Sequence, residues 1–175
     1  VTLRVAAADW HNAQGPIEAA GLTDYPYKVE FNVMQGGNLV MEALAADQID
    51  LGTGSQIPPI GASQSQNQGN FKIVATRRMN ILDQELVSGP NQKVESVAGL
   101  KGKRVGYVKN TTAHYFLYKM LEQAGLAWEE VETTPLTTAD GLTALLSGDI
   151  DAFASYGNTI QAAKANGAKT LQTAE

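Results

Sequence analysis

The chain has 175 residues, of which 13 are basic, 18 are acidic and 43% are hydrophobic, and its formal charge is -5. This charge would repel phosphate backbones and anionic membranes, so nucleic acid is not an expected partner. The absence of cysteine from the sequence excludes disulfides, thiolate nucleophiles and cysteine metal sites.

The first part of the chain alternates predicted strands with predicted helices. Strands are expected over residues 3–7, 27–33, 49–54 and 71–75. A short helix is expected near Pro16. Further helices are expected from Asn38 and after Ser55, because Asn and Ser are favoured N-cap residues. Pro58 suits the first turn of the third helix, where its missing amide has no partner to lose.

Residues 79–95 show no helical period and contain Gly89-Pro90, which indicates a connection between two lobes. The alternation then resumes, with strands expected over residues 104–108, 131–134 and 150–154 and helices over 112–124, 139–146 and 159–165. We therefore predict a first lobe over residues 1–80, a hinge or crossover over 81–95 and a second lobe over 96–175.

The two predicted lobes repeat one sequence pattern at an offset of 100 to 102 residues. The matched pairs are Arg4-Val5 with Arg104-Val105, Val29-Glu30 with Val131-Glu132, Ala43-Leu44 with Ala144-Leu145, and Ile49-Asp50 with Ile150-Asp151. Two copies of one α/β unit, side by side, leave a crevice at the carboxyl ends of their strands, where open sheets bind ligands. The expected fold is therefore α/β with two Rossmann-like lobes, and the expected function is capture of a small molecule.

Three predicted helix starts indicate that this molecule is an anion. Each follows a strand, and a helix start offers unpaired amides and about half a positive charge. The candidate ligand-binding residues at these starts are Gln35, Gly36, Gly37, Ser55, Gln56, Thr111 and Thr112. A sulfonate suits such donors, because it stays ionised and has only acceptor oxygens.

Three further side chains are candidates for the same site. We expect His114 to donate a hydrogen bond at the pocket rim, and Trp10 and Tyr156 to form an apolar clamp for an organic tail. No metal site is expected, because His11 is the only other histidine and no acidic cluster surrounds either one.

These candidates also have purely structural interpretations. Ser55 and Thr111 could act only as helix caps, although capping does not exclude contact with a ligand. Trp10 and Tyr156 could pack between a strand and a helix. The Gly-Gly pair could form a turn that needs positive φ angles.

Several motifs resemble those of the aliphatic sulfonate, taurine and nitrate binding proteins of bacterial ABC importers. They include Gly36-Gly37, Gly54 with Pro58-Pro59, and residues 100–105. The most specific motif, residues 111–117, resembles the sulfonate branch. The resemblance implies a two-lobed periplasmic binding-protein fold of type II, whose cleft closes on a small organosulfonate such as an alkanesulfonate or taurine.

The resemblance also implies where such a protein works and what it contacts. We expect a monomer in the periplasm, or lipid-anchored outside the cytoplasm, that presents its ligand to a membrane permease. Family members continue beyond Glu175, and the resemblance therefore implies that the second lobe is incomplete in this sequence.

Other functions remain open at this stage. Nitrate or a thiamine-precursor pyrimidine could be the ligand, and a ligand-sensing effector domain of a transcription regulator has a similar architecture. Enzymes of related fold include a desulfinase that uses a cysteine nucleophile, which this chain lacks. No catalytic Ser, His and Asp cluster, Walker loop or dinucleotide motif is present in the sequence, so neither an enzyme nor a cofactor is expected.

Overall fold

The computed structural model describes residues 1–8, 13–64, 70–78 and 80–175. These residues form two compact units, Val1–Thr76 and Arg77–Glu175, each with its own sheet. The sequence predicted the end of the first lobe at residue 80. Among the described residues, no helix combines the length and the apolar character needed to span a membrane.

Unit 1, residues 1–76, contains a three-stranded parallel sheet with strand order β2-β1-β3. Its elements are β1 (Thr2–Ala7), α1 (Gln14–Ala19), β2 (Lys28–Val33), α2 (Gly37–Ala45), β3 (Leu51–Gly52) and α3 (Ile57–Ser63). Because the strands are parallel, their carboxyl ends share one edge of the sheet. Helices α2 and α3 start shortly after β2 and β3, so both begin near this edge.

A small apolar core joins the sheet of unit 1 to α2. Its buried members are Ala6, Val40, Ala43 and Ile49. Gly52 of β3 lies directly against Val40, and a Cβ atom at position 52 would overlap Val40 Cγ1. Glycine therefore allows α2 to pack closely on the sheet.

Unit 2, residues 77–175, contains a five-stranded mixed sheet with strand order β6-β5-β7-β4-β8. Its strands are β4 (Gln84–Ser88), β5 (Arg104–Tyr107), β6 (Glu132–Pro135), β7 (Ala152–Tyr156) and β8 (Lys169–Thr173). Its helices are α4 (Thr112–Gln123), α5 (Thr138–Ser147) and α6 (Gly157–Ala165). Strands β5, β6 and β7 are parallel, and β4 runs antiparallel to β7 and β8.

The core of unit 2 is larger than that of unit 1 and surrounds the central strands. Leu86 and Val87 of β4 and Phe153 of β7 are fully buried. Gly141 of α5 lies against the Phe153 ring, and a Cβ atom at this position would overlap the ring. This close approach fixes α5 on the sheet.

The same ion pair occurs in both units, at residues that the sequence repeat aligned. In unit 1, the Arg4 amide donates to Asp50 Oδ2 at 2.8 Å, and its guanidinium donates to both carboxylate oxygens at 3.0 and 2.8 Å. In unit 2, the Arg104 amide donates to Asp151 Oδ2 at 2.9 Å, and its guanidinium donates at 3.2 and 3.1 Å. Each pair joins the first strand of the β–α–β repeat to the residue that precedes the third.

These ion pairs lower the pKa of both carboxylates. Hydrogen bonds from the Arg4 side chain, and then from its amide, lower the pKa of Asp50 from 3.8 to about 2. Burial raises the pKa of Asp151, but the hydrogen bonds from Arg104 outweigh burial and the pKa is lowered. A lowered carboxyl pKa stabilises the folded state above the unfolded pKa near 3.8, and this stabilisation is lost as the pH falls through the lowered pKa.

Two predictions about residues 71–95 are wrong. Residues 71–75, expected as a buried strand, have no regular secondary structure, and Ile73 and Val74 are 65% and 78% exposed. The expected hinge over residues 81–95 instead contains β4, which pairs with β7 and β8. The sequence pattern did not indicate this strand because it contains polar residues that would normally be exposed. One of them, Glu85, is buried, and its carboxylate accepts hydrogen bonds from Lys164.

The ion pair of unit 2 makes a testable contribution to stability. Asp151→Asn removes the charge and one acceptor from Arg104, and we expect the free energy of unfolding at pH 7 to fall by about 1.5 to 3 kcal/mol. Urea unfolding followed by circular dichroism measures the change. Glu129→Gln, which removes an exposed carboxylate elsewhere in unit 2, is the control and should have little effect.

The pH dependence gives this prediction a second readout. Below pH 4 the advantage of the wild-type protein over Asp151→Asn should shrink, because protonation of Asp151 removes the same charge. A difference in unfolding free energy that stays constant down to pH 2 would contradict the assigned role of the ion pair.

Candidate functional site

The carboxyl ends of β5 and β7 form a switch point in the sheet of unit 2. From β5 the chain runs through α4 to β6, and from β6 it returns through α5 to β7, on the other side of β5. Ligands of open α/β sheets bind at such points, outside the carboxyl ends of the strands. Thr111 follows β5 and Tyr156 ends β7, so both lie at this edge of the sheet.

Thr111 is the N-cap residue of α4 and is only 2% exposed. Its hydroxyl donates to the carbonyl of Val108 at 2.6 Å, and it makes no capping bond to a helix amide. The hydroxyl proton is therefore used within the turn. The expected role of Thr111 as a hydroxyl donor to the ligand is not supported by this geometry.

The backbone at the start of α4 supplies donors instead. The first amides of a helix have no carbonyl one turn earlier to accept from them. In α4 these are the amides of Thr112, Ala113 and His114. The first hydrogen bond of the helix runs from the Tyr115 amide to the Thr111 carbonyl, at 3.3 Å. Thr112 is half-buried and is the first residue of α4.

Tyr156 is the N-cap residue of α6, and its hydroxyl oxygen is buried. No described residue forms a hydrogen bond with this hydroxyl. Burial raises the pKa of Tyr156, and the nearby Thr111 side chain opposes this effect without forming a bond of good geometry. A buried hydroxyl without a partner is unfavourable, so this group is suited to donate to a ligand.

Negative charge is absent from the first turns of α4 and α6. Neither helix has a side-chain cap. In α5, by contrast, the Thr137 hydroxyl accepts from the Asp140 amide at 3.1 Å, and Asp140 adds an acidic group to the first turn. The two helices that start at the switch point thus keep their partial positive charge uncompensated.

His114 lies in the first turn of α4 within an aromatic cluster. Its ring centroid is 4.7 Å from that of Tyr107 and 5.4 Å from that of Trp128. Burial, followed by repulsion from Lys109, lowers the pKa of His114, so the imidazole is neutral at neutral pH. Its expected role as a donor to the ligand stays a prediction.

The start of α2 in unit 1 is formed by the predicted Gly-Gly pair. Gly36 is the N-cap residue with a φ of 137°, a conformation open to glycine, and Gly37 is the first helical residue. A Cβ atom on Gly37 would lie 2.5 Å from Pro58 Cγ, so α2 starts against the first turn of α3. The expected cap at Asn38 is therefore wrong, because this residue already lies inside the helix.

The remaining unit 1 candidates have mixed outcomes. Gln56, and not Ser55, is the N-cap residue of α3, and no side chain caps this helix. Gln35 precedes the glycine pair, on the connection from β2. Trp10 lies outside the described residues. Contact of these residues with a ligand stays a prediction.

Sequence reasoning missed Tyr107 and Trp128, the aromatic neighbours of His114. Tyr107 could have been suspected, because it ends the strand directly before the loop that leads to α4. Trp128 starts a short 3₁₀ turn, Trp128–Glu130, and its proximity to His114 depends on tertiary packing. No local pattern in the sequence reports such a contact.

Residues 21–174 match the model of a protein family described as NMT1/THI5 like. A relative from Escherichia coli (strain K12), whose name describes aliphatic sulfonate binding, is 31% identical over 129 residues, covering 74% of this chain. The chain spans 40% of the length of that relative.

Solved structures of two sulfonate-binding proteins are similar to this chain. The alkanesulfonate-binding protein SsuA from Xanthomonas axonopodis pv. citri, bound to MOPS, gives a TM-score of 0.87 at 25% identity, over 99% of this chain and 61% of that one. The periplasmic aliphatic sulphonate binding protein SsuA from Escherichia coli gives 0.78 at 28% identity, over 98% of this chain and 60% of that one. The expected α/β fold of periplasmic binding proteins is therefore confirmed.

The two threonines before and in α4 should respond differently to substitution. Thr111→Val leaves the buried Val108 carbonyl without its hydroxyl donor, and we expect the free energy of unfolding to fall by about 1 to 3 kcal/mol. Thr112→Val is the matched control, with a smaller expected change, because Thr112 is only half-buried. Chemical denaturation of both variants measures the effect, and equal stability of the two would contradict it.

Proposed function

The chain belongs to the NMT1/THI5-like family, and from this membership we propose that it binds a small organosulfonate as the solute-binding component of an ABC importer. The proposed ligands are alkanesulfonates and taurine-like compounds. The proposed site of action is the periplasm or a lipid-anchored position outside the cytoplasm, and the proposed partner is a membrane permease. We infer capture and release of the ligand, without chemistry.

The observation that carries this proposal is the uncompensated start of α4 beside Tyr156. Three backbone amides in the first turn, with no acidic group and no side-chain cap, favour a negatively charged ligand group. A sulfonate has three oxygens that accept hydrogen bonds, which matches a site built from donors. The similarity to proteins named for sulfonate binding supports the same ligand class.

Tyr156 contributes a second kind of donor to the proposed site. Its hydroxyl oxygen is buried and has no partner among the described residues, so a ligand oxygen at the start of α4 would satisfy it. The ring provides an apolar surface, which suits the carbon chain of an alkanesulfonate better than a bare inorganic anion.

Isothermal titration calorimetry with a panel of anions tests the proposal. The panel contains ethanesulfonate, taurine, MOPS, sulfate, nitrate and a hydroxymethylpyrimidine. We expect the organosulfonates to bind more tightly than sulfate and nitrate, and NMR of the recovered ligand should show no conversion. Binding of the pyrimidine alone, or of nitrate alone, would replace the proposed ligand class.

Tyr156→Phe should separate stability from binding. The variant removes a buried hydroxyl that has no partner, so stability should be unchanged or slightly higher. Loss of a hydrogen bond to a charged ligand should weaken organosulfonate binding roughly ten- to a hundredfold. Thermal unfolding and calorimetry measure the two effects.

The matched control for this variant is Tyr118→Phe, which removes a hydroxyl from a side chain that is half exposed on α4. Neither stability nor binding should change in the control. Full affinity in Tyr156→Phe would remove this hydroxyl from the proposed site.

A further inference from the structure

The third residue of a helix often caps the helix start with an acidic side chain. In unit 2 this position holds Asp140 in α5, where the Thr137 hydroxyl donates to the carboxylate at 2.8 Å. It holds Glu130 in the 3₁₀ turn that starts at Trp128, where the carboxylate accepts from the amide of the N-cap residue Ala127 at 2.9 Å. In α4 the same position holds His114.

His114 makes a related contact with a neutral ring, a loop cap to the residue before the N-cap that leaves the first amides of α4 free. Its Nδ1 accepts a hydrogen bond from the Asn110 amide at 3.3 Å. Because Nδ1 accepts, the imidazole proton is on Nε2. The hydrogen bond fixes a residue in an uncommon conformation, since Asn110 has a φ of 57° in the left-handed region. The ring thereby holds the loop that leads from β5 into Thr111.

The choice of histidine has an electrostatic consequence at the start of α4. A carboxylate at position 114 would accept the same hydrogen bond, but it would place a negative charge in the first turn. That charge would compensate the partial positive charge of the helix and repel an anion there. The buried Tyr156 hydroxyl without a partner, beside Thr111, is an independent indication that a ligand group fits at this start.

We propose that His114 is a positioning residue, an uncharged replacement for a capping carboxylate that fixes the loop before α4 while keeping its start open to an anion. The part of this inference that concerns the anion rests on the proposed function. The part that concerns the cap does not, and the two can be tested separately.

The surroundings of His114 keep its ring neutral. Tyr107 of β5 and Trp128 of the 3₁₀ turn pack against it, and Tyr118 of α4 packs against Trp128. Lys109 is the charged group that acts on it, and both this lysine and burial lower the pKa of His114. The cap is therefore fully present above the unfolded pKa of 6.5, and it is lost as the pH falls through the lower folded pKa.

A ligand-free series tests the cap. His114→Ala should lower the midpoint of urea unfolding at pH 7.5, and His114→Gln and His114→Glu should restore most of it, because both side chains accept a hydrogen bond. The advantage of the wild-type protein over His114→Ala should shrink below pH 6.5, whereas the advantage of His114→Gln should not. Nitrogen-15 NMR should show the proton of His114 on Nε2.

A binding series with ethanesulfonate tests the charge. His114→Gln should bind within about threefold of the wild-type protein, since it keeps a neutral cap. His114→Glu should bind roughly tenfold or more weakly, although it is as stable as His114→Gln. Tyr118→Glu adds the same charge one turn later, at an exposed position, and should change binding much less because the helix-start effect falls off within a turn.

The outcomes separate the inference from the proposed function. Equal stability of His114→Ala and the wild-type protein would overturn the cap, and wild-type affinity in His114→Glu would overturn the charge argument. A wild-type protein that binds no organosulfonate would refute the proposed function, and the ligand-free series would still decide whether His114 is a cap.

Discussion

The ion pair between arginine and aspartate is the constraint on which both units depend. In each unit the carboxylate accepts from the arginine amide, and the aspartate amide donates back to the arginine carbonyl, at 2.9 Å for Asp50 and 2.7 Å for Asp151. These bonds set the register of the neighbouring parallel strands, which pairs Val5 with Leu51 and Val105 with Ala152. A one-residue slip would break the pair and turn every side chain of the strand to the opposite face.

In each sheet the ion pair and the candidate ligand-binding residues lie at opposite edges. Both aspartates lie at the amino ends of the strands, and charge pairing there holds the sheet together. The candidate ligand residues follow the carboxyl ends, where α4 and α6 start without acidic groups. The edge proposed to bind the ligand gives up capping interactions of about 1 kcal/mol each. Strong pairing at the opposite edge helps the fold to tolerate that loss.

The sequence predicted those features of the fold that depend on local pattern. The repeat located Arg4, Asp50, Arg104 and Asp151, because an ion pair that fixes strand register leaves the same residues at the same spacing. The pattern failed for β4, where Glu85 looks solvent-exposed but is buried with Lys164 and Thr170 as partners. Burial of a charge depends on distant partners, which alternation of polar and apolar residues does not record.

The strand predicted over residues 71–75 is absent for the opposite reason. Their apolar, β-branched composition favours a strand, but a strand also needs a neighbouring backbone to pair with, and no described strand pairs with them. Composition gives the preference of a segment for a conformation. It does not give the partner that makes the conformation stable, and the segment is exposed in its absence.

The start of α4 was predicted more accurately than the side-chain geometry there. The motif around Thr111 predicted a helix start, and α4 begins at Thr112. The hydroxyl of Thr111 donates inward to Val108, so the ligand contacts that we propose are to backbone amides and Tyr156. A hydroxyl at an N-cap has several possible partners, and only the folded backbone decides among them. Charge at the helix start can be read from the sequence. Helix α5 carries Asp140 in its first turn, whereas α4 carries His114 at the same position, so the start of α4 has no carboxylate that would repel the proposed anion.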